Sequence, residues 1–243
     1  MKSYTLCALI LFGIGIQGFS QKIFSKDTIK ASTGDVVVTF IGHGSLLMEW
    51  RGKKIYMDPS SREADLYQFP KADMIFVTHH HGDHCDQAAL KALTQDNTKT
   101  FMSSIAHEQW NQGMVLFPDQ QLSIDGVGIA VIPAYNIINK REDGQPYHVE
   151  GECNSYILTL GDIRVLVAGD TENTPEMKEL KNIDAAFLPM NLPYTMTPDM
   201  VLDAVKAFKP KILYPYHYDR KFLPELEEKM KTVPEVELRI RKN

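Results

Sequence analysis

The sequence has few cysteines. Only Cys7, Cys85 and Cys153 occur in 243 residues, and no Cys-x-x-Cys pair is among them. This excludes a zinc finger and a small scaffold held together by many disulfides. Cys85 and Cys153 lie beyond the first twenty residues and allow at most one disulfide in an oxidising compartment. A hydrophobic core must therefore supply most of the stability, and a chain of this length can bury one.

Basic residues are also scarce relative to acidic ones. The chain has 26 Lys and Arg against 31 Asp and Glu, a formal net charge of −5. It therefore has no overall basic character that would favour nucleic acid or an anionic membrane. The 44% hydrophobic and 23% charged content is typical of a globular protein. We expect a small-molecule substrate and no nucleic acid, with contact to a membrane surface only if the substrate is a lipid.

No apolar run reaches the roughly eighteen residues that span a bilayer. The longest, residues 6–16, follows Lys2 and precedes small residues at 18–20. This order is typical of a secretory signal. We expect residues 1–20 to be removed by cleavage after Ser20, which leaves a net charge of −6 because −5 included Lys2. A membrane anchor or a buried first helix is the alternative, and cleavage predicts a periplasmic or secreted protein.

Residues 21–243 contain no repeat, low-complexity tract or linker rich in Pro, Gly or Ser, and they are predicted to form one domain. Runs of β-branched and aromatic residues between turn residues predict short strands. The predicted strands are residues 36–41, 46–50, 54–58, 74–78, 127–132, 156–160, 163–168, 185–188 and 211–214. Gly161-Asp162 between two of them is typical of a hairpin turn.

Helices are predicted in both halves of the chain. Apolar residues recur at helical spacing from Ala88 to Leu93. Thr174-Pro175 and Thr197-Pro198 each place a capping hydroxyl before a proline at the first helical position. Because the strands come in two groups with helices interspersed, the pattern favours an α+β sandwich of sheets covered by helices over a purely parallel sheet.

The sequence His79-His80-His81-Gly82-Asp83-His84 directly follows the predicted strand 74–78. Imidazoles and a carboxylate suit zinc and related divalent ions. His79 and His81 can point the same way on an extended segment, and Gly82 permits a sharp turn before Asp83 and His84. The four side chains can thus serve two adjacent metals, and a hydroxide bridging two metals is a nucleophile at neutral pH. A surface histidine run without catalysis is the alternative, but such tracts are usually structureless.

Four segments together resemble one known family. Residues 78–84 resemble the His-x-His-x-Asp-His signature of the metallo-β-lactamase superfamily. Residues 40–45, which contain Gly42-His43-Gly44-Ser45, resemble the branch with ascorbate-phosphate lactonases and the N-acyl-phosphatidylethanolamine phospholipase D. Residues 168–172 and 214–218 resemble segments that deliver a bridging aspartate and a last histidine. The resemblance implies an αββα four-layer sandwich with the metals at one edge between the sheets.

The resemblance also implies ligand roles. Asp170 would bridge the two metals, and His217 would complete the second site. Family members usually supply a third histidine to the first metal where this sequence has Asn136, and asparagine is a poor zinc ligand beside imidazoles. We expect His148 to complete the first site with Asn136 nearby. One alternative is that a single metal suffices and the first site is weak or empty. The other is that His107, which lies in a helix-like stretch, completes the first site.

The expected cofactors are two divalent transition-metal ions, zinc in the first place and manganese or iron as alternatives. The expected function is hydrolysis of an ester, lactone, amide or phosphodiester by a metal-bound hydroxide, oriented by Asp83 or Asp170. The alternative is a metal-binding module of the same fold with little or no activity. The candidate substrate-binding residues are His43, Asn136 and Tyr194. His43 could instead hold a loop in place by hydrogen bonding.

Overall fold

The β-branched runs of the sequence form two seven-stranded mixed sheets in the computed structural model, which describes residues 23–241. The predicted signal segment 1–20 lies outside the described residues. The first sheet contains β1 (Ser25–Ile29), β2 (Val36–Gly42), β3 (Ser45–Trp50), β4 (Lys53–Met57), β5 (Met74–Val77), β6 (Lys99–Met102) and β7 (Met114–Val115). These strands neighbour one another in chain order; β1 to β4 pair antiparallel, and β4 to β7 pair parallel.

The second sheet has the same arrangement. It contains β8 (Gln121–Ile124), β9 (Val127–Ala134), β10 (Cys153–Leu160), β11 (Ile163–Val167), β12 (Ala185–Met190), β13 (Ile212–Tyr218) and β14 (Glu237–Leu238). Strands β8 to β11 pair antiparallel and β11 to β14 pair parallel. The two halves of the chain therefore build similar sheets, although no repeat is visible in the sequence.

Helices cover the outer faces of both sheets. They are α1 (Gln87–Leu93), α2 (Ser104–Trp110), α3 (Pro175–Lys178), α4 (Pro198–Phe208) and α5 (Leu223–Met230). The predicted caps are confirmed, because the hydroxyls of Thr174 and Thr197 accept backbone hydrogen bonds of 3.3 and 3.1 Å in α3 and α4. Within residues 23–241, none of the helices is long and apolar enough to cross a membrane.

Three apolar clusters hold the layers together. The central cluster lies between the sheets and contains Phe40 of the first sheet and Phe187 and Tyr214 of the second. The rings of Phe187 and Tyr214 stack at 4.8 Å, and Phe40 contacts Tyr214 at 5.6 Å. The other two clusters join the first sheet to α1 and α2, and the second sheet to α3, α4 and α5. The predicted αββα sandwich is thereby confirmed.

The strand predictions missed five strands and the end of β13. Strands β1, β6, β7, β8 and β14 were not predicted, because they are short or carry polar residues and depend on pairing with a neighbour. Strand β13 continues to Tyr218 instead of ending at Tyr214, because its pairing with β12 extends past Pro215. His217 therefore lies within a strand and not after one.

The central cluster predicts a large difference between two phenylalanines. Phe40 is 1% exposed between the sheets, whereas Phe117 is 51% exposed. Phe40→Ala should lower the free energy of unfolding by about 3–5 kcal/mol through lost burial and a cavity. Phe117→Ala, the matched control, should cost less than about 1 kcal/mol. Urea denaturation monitored by circular dichroism measures both, and similar losses in the two variants would contradict this account of the core.

Candidate metal centre

Polar side chains meet at one edge of the sandwich, where parallel strands of both sheets end. Strand β5 leads into Thr78 and His79, and β11 leads into Gly169 and Asp170. His217 lies near the end of β13. Because the C-terminal ends of these strands face the same edge, residues far apart in sequence come together there.

The first group of side chains consists of His79, His81 and His148. Nε2 of His79 lies 3.1 Å from Nδ1 of His81, and the His148 ring lies 5.0 Å from each of the other two rings. One nitrogen from each of the three lies within 4.8 Å of the others. Three imidazoles at this spacing could hold a transition-metal ion.

The second group consists of Asp83, His84, Asp170 and His217. Nε2 of His84 lies 3.6 Å from Oδ2 of Asp83 and 3.5 Å from Oδ1 of Asp170. Nε2 of His217 lies 3.6 and 3.4 Å from the same two oxygens. Two imidazole nitrogens and two carboxylate oxygens thus converge on one point, which is also a donor set that zinc and iron accept.

Asp170 lies between the two groups. Its Oδ1 faces His84 and His217, while its Oδ2 lies 3.4 Å from Nε2 of His148. Gly169 allows this approach: it has φ +64°, and a Cβ there would lie 2.8 Å from the Cβ of Thr78. The two sheets could not come this close with a larger residue at position 169.

Several ligand atoms in these groups are buried without a hydrogen-bond partner. Among the described residues they include Nε2 of His84, His148 and His217, and Oδ1 of Asp170. An unpartnered buried polar atom is costly, so a cluster of four needs an explanation. Imidazole nitrogen and carboxylate oxygen are transition-metal ligands, and the residues present therefore fit bound divalent ions.

Asp58 orients His84 and was not singled out in the sequence. Its buried Oδ2 lies 2.8 Å from Nδ1 of His84, and the carboxylate accepts two 2.7 Å hydrogen bonds from the backbone and hydroxyl of Thr78. Because Nδ1 is engaged, Nε2 of His84 is directed into the site. The available signal was an aspartate at the end of a predicted buried strand, directly before Pro59.

Asn136 orients His148 in the same way. Its Oδ1 accepts hydrogen bonds from the backbone nitrogen and Nδ1 of His148, at 2.9 and 2.8 Å. Its Nδ2 donates to Oε1 of Glu172 and to the carbonyl of Tyr194. Both ends of the amide are thus engaged within the protein, and Asn136 is not among the residues that line the cavity. A substrate contact of Asn136 stays a prediction.

Glu172 anchors the segment that carries Asn136. The side chain is fully buried and accepts hydrogen bonds of 2.7–2.8 Å from the backbone nitrogens of Ile137, Ile138 and Asn139. A carboxylate with three backbone donors is strongly held. The sequence contained no periodicity that would reveal this role; only the proximity to Asp170 in the chain hinted at it.

A β-bulge directs His217 into the site. The pairing of β12 with β13 slips at this point: Pro189 pairs with Tyr216, whereas Met190 pairs with Tyr218. His217 is the extra residue, with φ +46°, an uncommon conformation for a residue other than glycine. Bulges of this kind re-aim one side chain out of the regular alternation of a strand.

His43 lies beside the second group. It occupies the turn between β2 and β3, and its carbonyl accepts a 3.0 Å hydrogen bond from the backbone nitrogen of His217. The His43 ring packs on the His217 ring at 3.7 Å, and its Nε2 lies 3.2 Å from Oδ2 of Asp83. His43 thus faces the cavity and also holds its own turn, so the two sequence-based alternatives are compatible.

The charge states of four groups in the cluster suit a cation. Burial lowers the pKa of His79 well below its usual value and lowers the pKa of His148 to about 4. Burial also opposes ionisation of Asp83 and Asp170, but nearby histidines outweigh it and lower both pKa values. For His84, Asp170 and Asp58 outweigh burial and raise the pKa to about 9. Ionised carboxylates and neutral imidazoles are the forms that bind metals, so the imidazole of His84 would release a proton on binding an ion.

The two groups open into a cavity of about 380 Å³. Its lining residues are His43, His81, Asp83, Arg141, Tyr147, His148, Asp170, Asn191, Tyr194 and His217. Tyr194, a predicted substrate-binding residue, is thus part of the lining. His107 lies in α2 and belongs to neither group, nor does it line this cavity.

Both described cysteines are free and buried, so the disulfide that the sequence allowed does not form. Cys85 follows His84 in the chain but points the other way. Its Sγ lies 3.8 Å from the carbonyl of Ala106 in α2 and packs in the apolar cluster beneath the helices. Burial raises the pKa of its thiol to about 11, which is consistent with a packing role.

Comparison with known proteins agrees with this geometry. A model of the Beta-lactamase superfamily domain matches residues 37–217, a span that contains both groups of side chains. The UPF0173 metal-dependent hydrolase of Thermococcus kodakarensis is 33% identical over 199 residues, which cover 76% of this chain and 85% of that protein.

Two solved structures share the fold and are more than 25% identical in sequence. The crystal structure of a protein named as a metal-dependent hydrolase from Parabacteroides distasonis is 42% identical, with a TM-score of 0.85. That match covers 90% of this chain and 99% of the other. The metallo hydrolase Igni18 from Ignicoccus hospitalis is 26% identical, with a TM-score of 0.66 over 84% of this chain and 94% of the other.

The buried Glu172 carboxylate predicts a stability difference between two glutamates. Glu172→Gln places amide hydrogens against backbone donors and should lower the free energy of unfolding by about 1–3 kcal/mol. Glu179→Gln, the matched control at an exposed position after α3, should change it by less than about 0.5 kcal/mol. Urea denaturation of the metal-free proteins measures both. A Glu172 variant as stable as the control would contradict the anchoring role.

Proposed function

This chain belongs to the metallo-β-lactamase superfamily and is a metal-dependent hydrolase of the UPF0173 family, and we propose that two metal ions act together in its site. The observation that carries the proposal is Asp170, whose two carboxylate oxygens face two separate groups of ligand atoms. The proposed substrates are small molecules with an ester, lactone, amide or phosphodiester bond.

The proposed ligands follow from the geometry. His79, His81 and His148 would hold the first ion, Asp83, His84 and His217 the second, and Asp170 would contact both. Zinc is the proposed metal, and manganese and iron also accept this donor set. Bound divalent ions of this kind lower the pKa of water and polarise the oxygen of the bond to be hydrolysed.

The protein's own groups would orient the reactants. Asp83 lines the cavity, and its carboxylate would be able to accept a hydrogen bond from the attacking water. Nε2 of His43 lies 3.2 Å from Oδ2 of Asp83 and holds that oxygen in place. His43 lines the same cavity, and we assign it the role of proton donor or substrate contact.

The alternative, a metal-binding module without chemistry, was motivated by asparagine at position 136. The position of His148 removes that motivation, because its Nε2 reaches the first group while Asn136 holds its other nitrogen.

We also propose that the protein belongs to the lactonase and phospholipase-like branch of the superfamily. This proposal rests on the resemblance of residues Gly42–Ser45 to that branch, and it favours lactones and phosphodiesters as the first substrates to test.

Metal analysis tests the function. The purified protein should contain close to two transition-metal ions, and His148→Ala should lose about one of them. His107→Ala, the matched control outside the site, should keep both. Asp170→Asn should lose affinity for both ions and abolish hydrolysis of lactone and phosphodiester substrates, because it removes a charge shared by the two groups.

The measurements are metal content by mass spectrometry and initial rates before and after treatment with a chelator. Full activity of the metal-free protein would contradict the proposal. Two ions retained by the His148 variant would remove this residue from the first site, and one ion in the parent protein would favour a mononuclear enzyme.

We further propose that the protein is exported to the periplasm or secreted, on the basis of residues 1–20. Expression of the full chain in a bacterium should yield a product whose first residue is Gln21, outside the cytoplasm. Replacing Ile10 and Leu11 by arginine should interrupt the apolar run and leave the intact chain inside the cell. Mass spectrometry of the N-terminus checks this, and an uncleaved cytoplasmic parent chain would refute it.

A further inference from the structure

A short hairpin lies between β9 and β10 beside the cavity. Lys140 and Pro146 form an isolated bridge, and Arg141 and Gln145 are joined by a 2.7 Å backbone hydrogen bond. The base of this segment is held at two places: Glu172 accepts hydrogen bonds from three successive backbone nitrogens, and Asn136 pairs with His148. The hairpin is therefore attached directly to the groups that form the candidate metal centre.

The hairpin brings Arg141 to the cavity. Its guanidinium carbon lies 5.2 Å from the centre of the Tyr147 ring, and its Nη2 donates a 3.3 Å hydrogen bond to the Tyr147 carbonyl. The Tyr147 ring packs against Tyr194 at 5.0 Å. Within residues 23–241, no carboxylate forms an ion pair with Arg141. The guanidinium is thus supported by an aromatic wall and keeps donors available for a ligand.

Arg141 provides a positive charge in a cavity whose other charged lining residues are carboxylates and histidines. Among residues 23–241, Arg141 is the only lysine or arginine in the lining, which also contains two carboxylates, Asp83 and Asp170. Both carboxylates are engaged by histidines and, in the proposed function, by metal ions. A guanidinium presents a planar fork of donors that matches carboxylate and phosphate oxygens. The volume of about 380 Å³ is near the lower end for ligand pockets and suits a small metabolite.

We propose that Arg141, supported by Tyr147 and Tyr194, is a subsite for a carboxylate or phosphate group that the substrate carries apart from the bond to be hydrolysed. This inference rests on the proposed hydrolytic function and narrows its substrate class to small anionic molecules. The aromatic rings contact the part of the substrate between its anionic group and the reacting bond.

Two esters with the same leaving group test the proposal on the metal-loaded enzyme. One is 4-nitrophenyl crotonate, which is neutral, and the other is 4-nitrophenyl hydrogen fumarate, which carries a carboxylate that the trans double bond keeps away from its own ester. The parent enzyme should favour the charged ester in kcat/KM. Arg141→Gln should lower the ratio of kcat/KM for the charged ester to kcat/KM for the neutral ester about tenfold to hundredfold, as expected for the loss of a hydrogen bond between charged groups. Arg141→Lys should restore part of the ratio.

Lys140→Gln is the matched control, because it removes one positive charge from the same hairpin without touching the cavity lining. It should leave the ratio as in the parent enzyme. An equal fall in Lys140→Gln would mean a general effect of charge on the hairpin and would overturn the assignment of Arg141. An unchanged ratio in Arg141→Gln would overturn it as well, while ester hydrolysis itself would leave the proposed function standing.

Calorimetric titration with succinate and with inorganic phosphate supplies a readout that does not need turnover. Arg141→Gln should weaken binding of at least one of the two anions about tenfold or more relative to Lys140→Gln. Weakened succinate binding alone identifies a carboxylate subsite, and weakened phosphate binding alone identifies a phosphate subsite. If neither ester is hydrolysed, these titrations still decide the anion subsite, and equal affinities in the two variants would overturn it.

Discussion

The buried carboxylate of Asp170 is the point on which the candidate site depends. It stands between two groups of imidazoles from both sheets, with one oxygen toward each group. Without a cation, four nearby buried atoms have no partner, which is unfavourable in a closely packed interior. Gly169 lets the backbone of the second sheet lie close to Thr78 of the first. The bulge at His217 turns that side chain out of the regular alternation of β13 and toward Asp170.

Buried acids and amides beside the centre determine its geometry as much as the proposed ligands do. Asp58 engages one nitrogen of His84, and Asn136 does the same for His148, so each ring presents its other nitrogen to the site. Glu172 then secures the segment that contains Asn136. The same segment continues into the hairpin with Arg141 and so connects the candidate metal centre to the proposed anion subsite.

Much of the fold could be predicted because its local signals are strong. The β-branched runs, the two Thr-Pro caps and the strand leading to His79 each act over a few residues. The edge strands could not be predicted in this way, because a segment such as Ser25–Ile29 is a strand only where β2 supplies its hydrogen bonds. The free cysteines likewise reflect tertiary packing, since nothing in their spacing shows that Cys85 points into an apolar cluster under α2.

Local signals in the sequence indicate a metal-dependent chemistry, because three histidines and an aspartate follow a buried strand at a spacing that suits metal ligands. The sequence also placed Asp170 and His217 at or near strand ends. His148 was expected beside His79 and His81 with His107 as an alternative, and the fold places His148 there. The hydrogen bond from His148 to Asn136 and the position of Arg141 at the cavity could be seen only in the folded chain. The physical reason is that these contacts depend on how two sheets pack and how one loop folds back, and neither is encoded in local spacing.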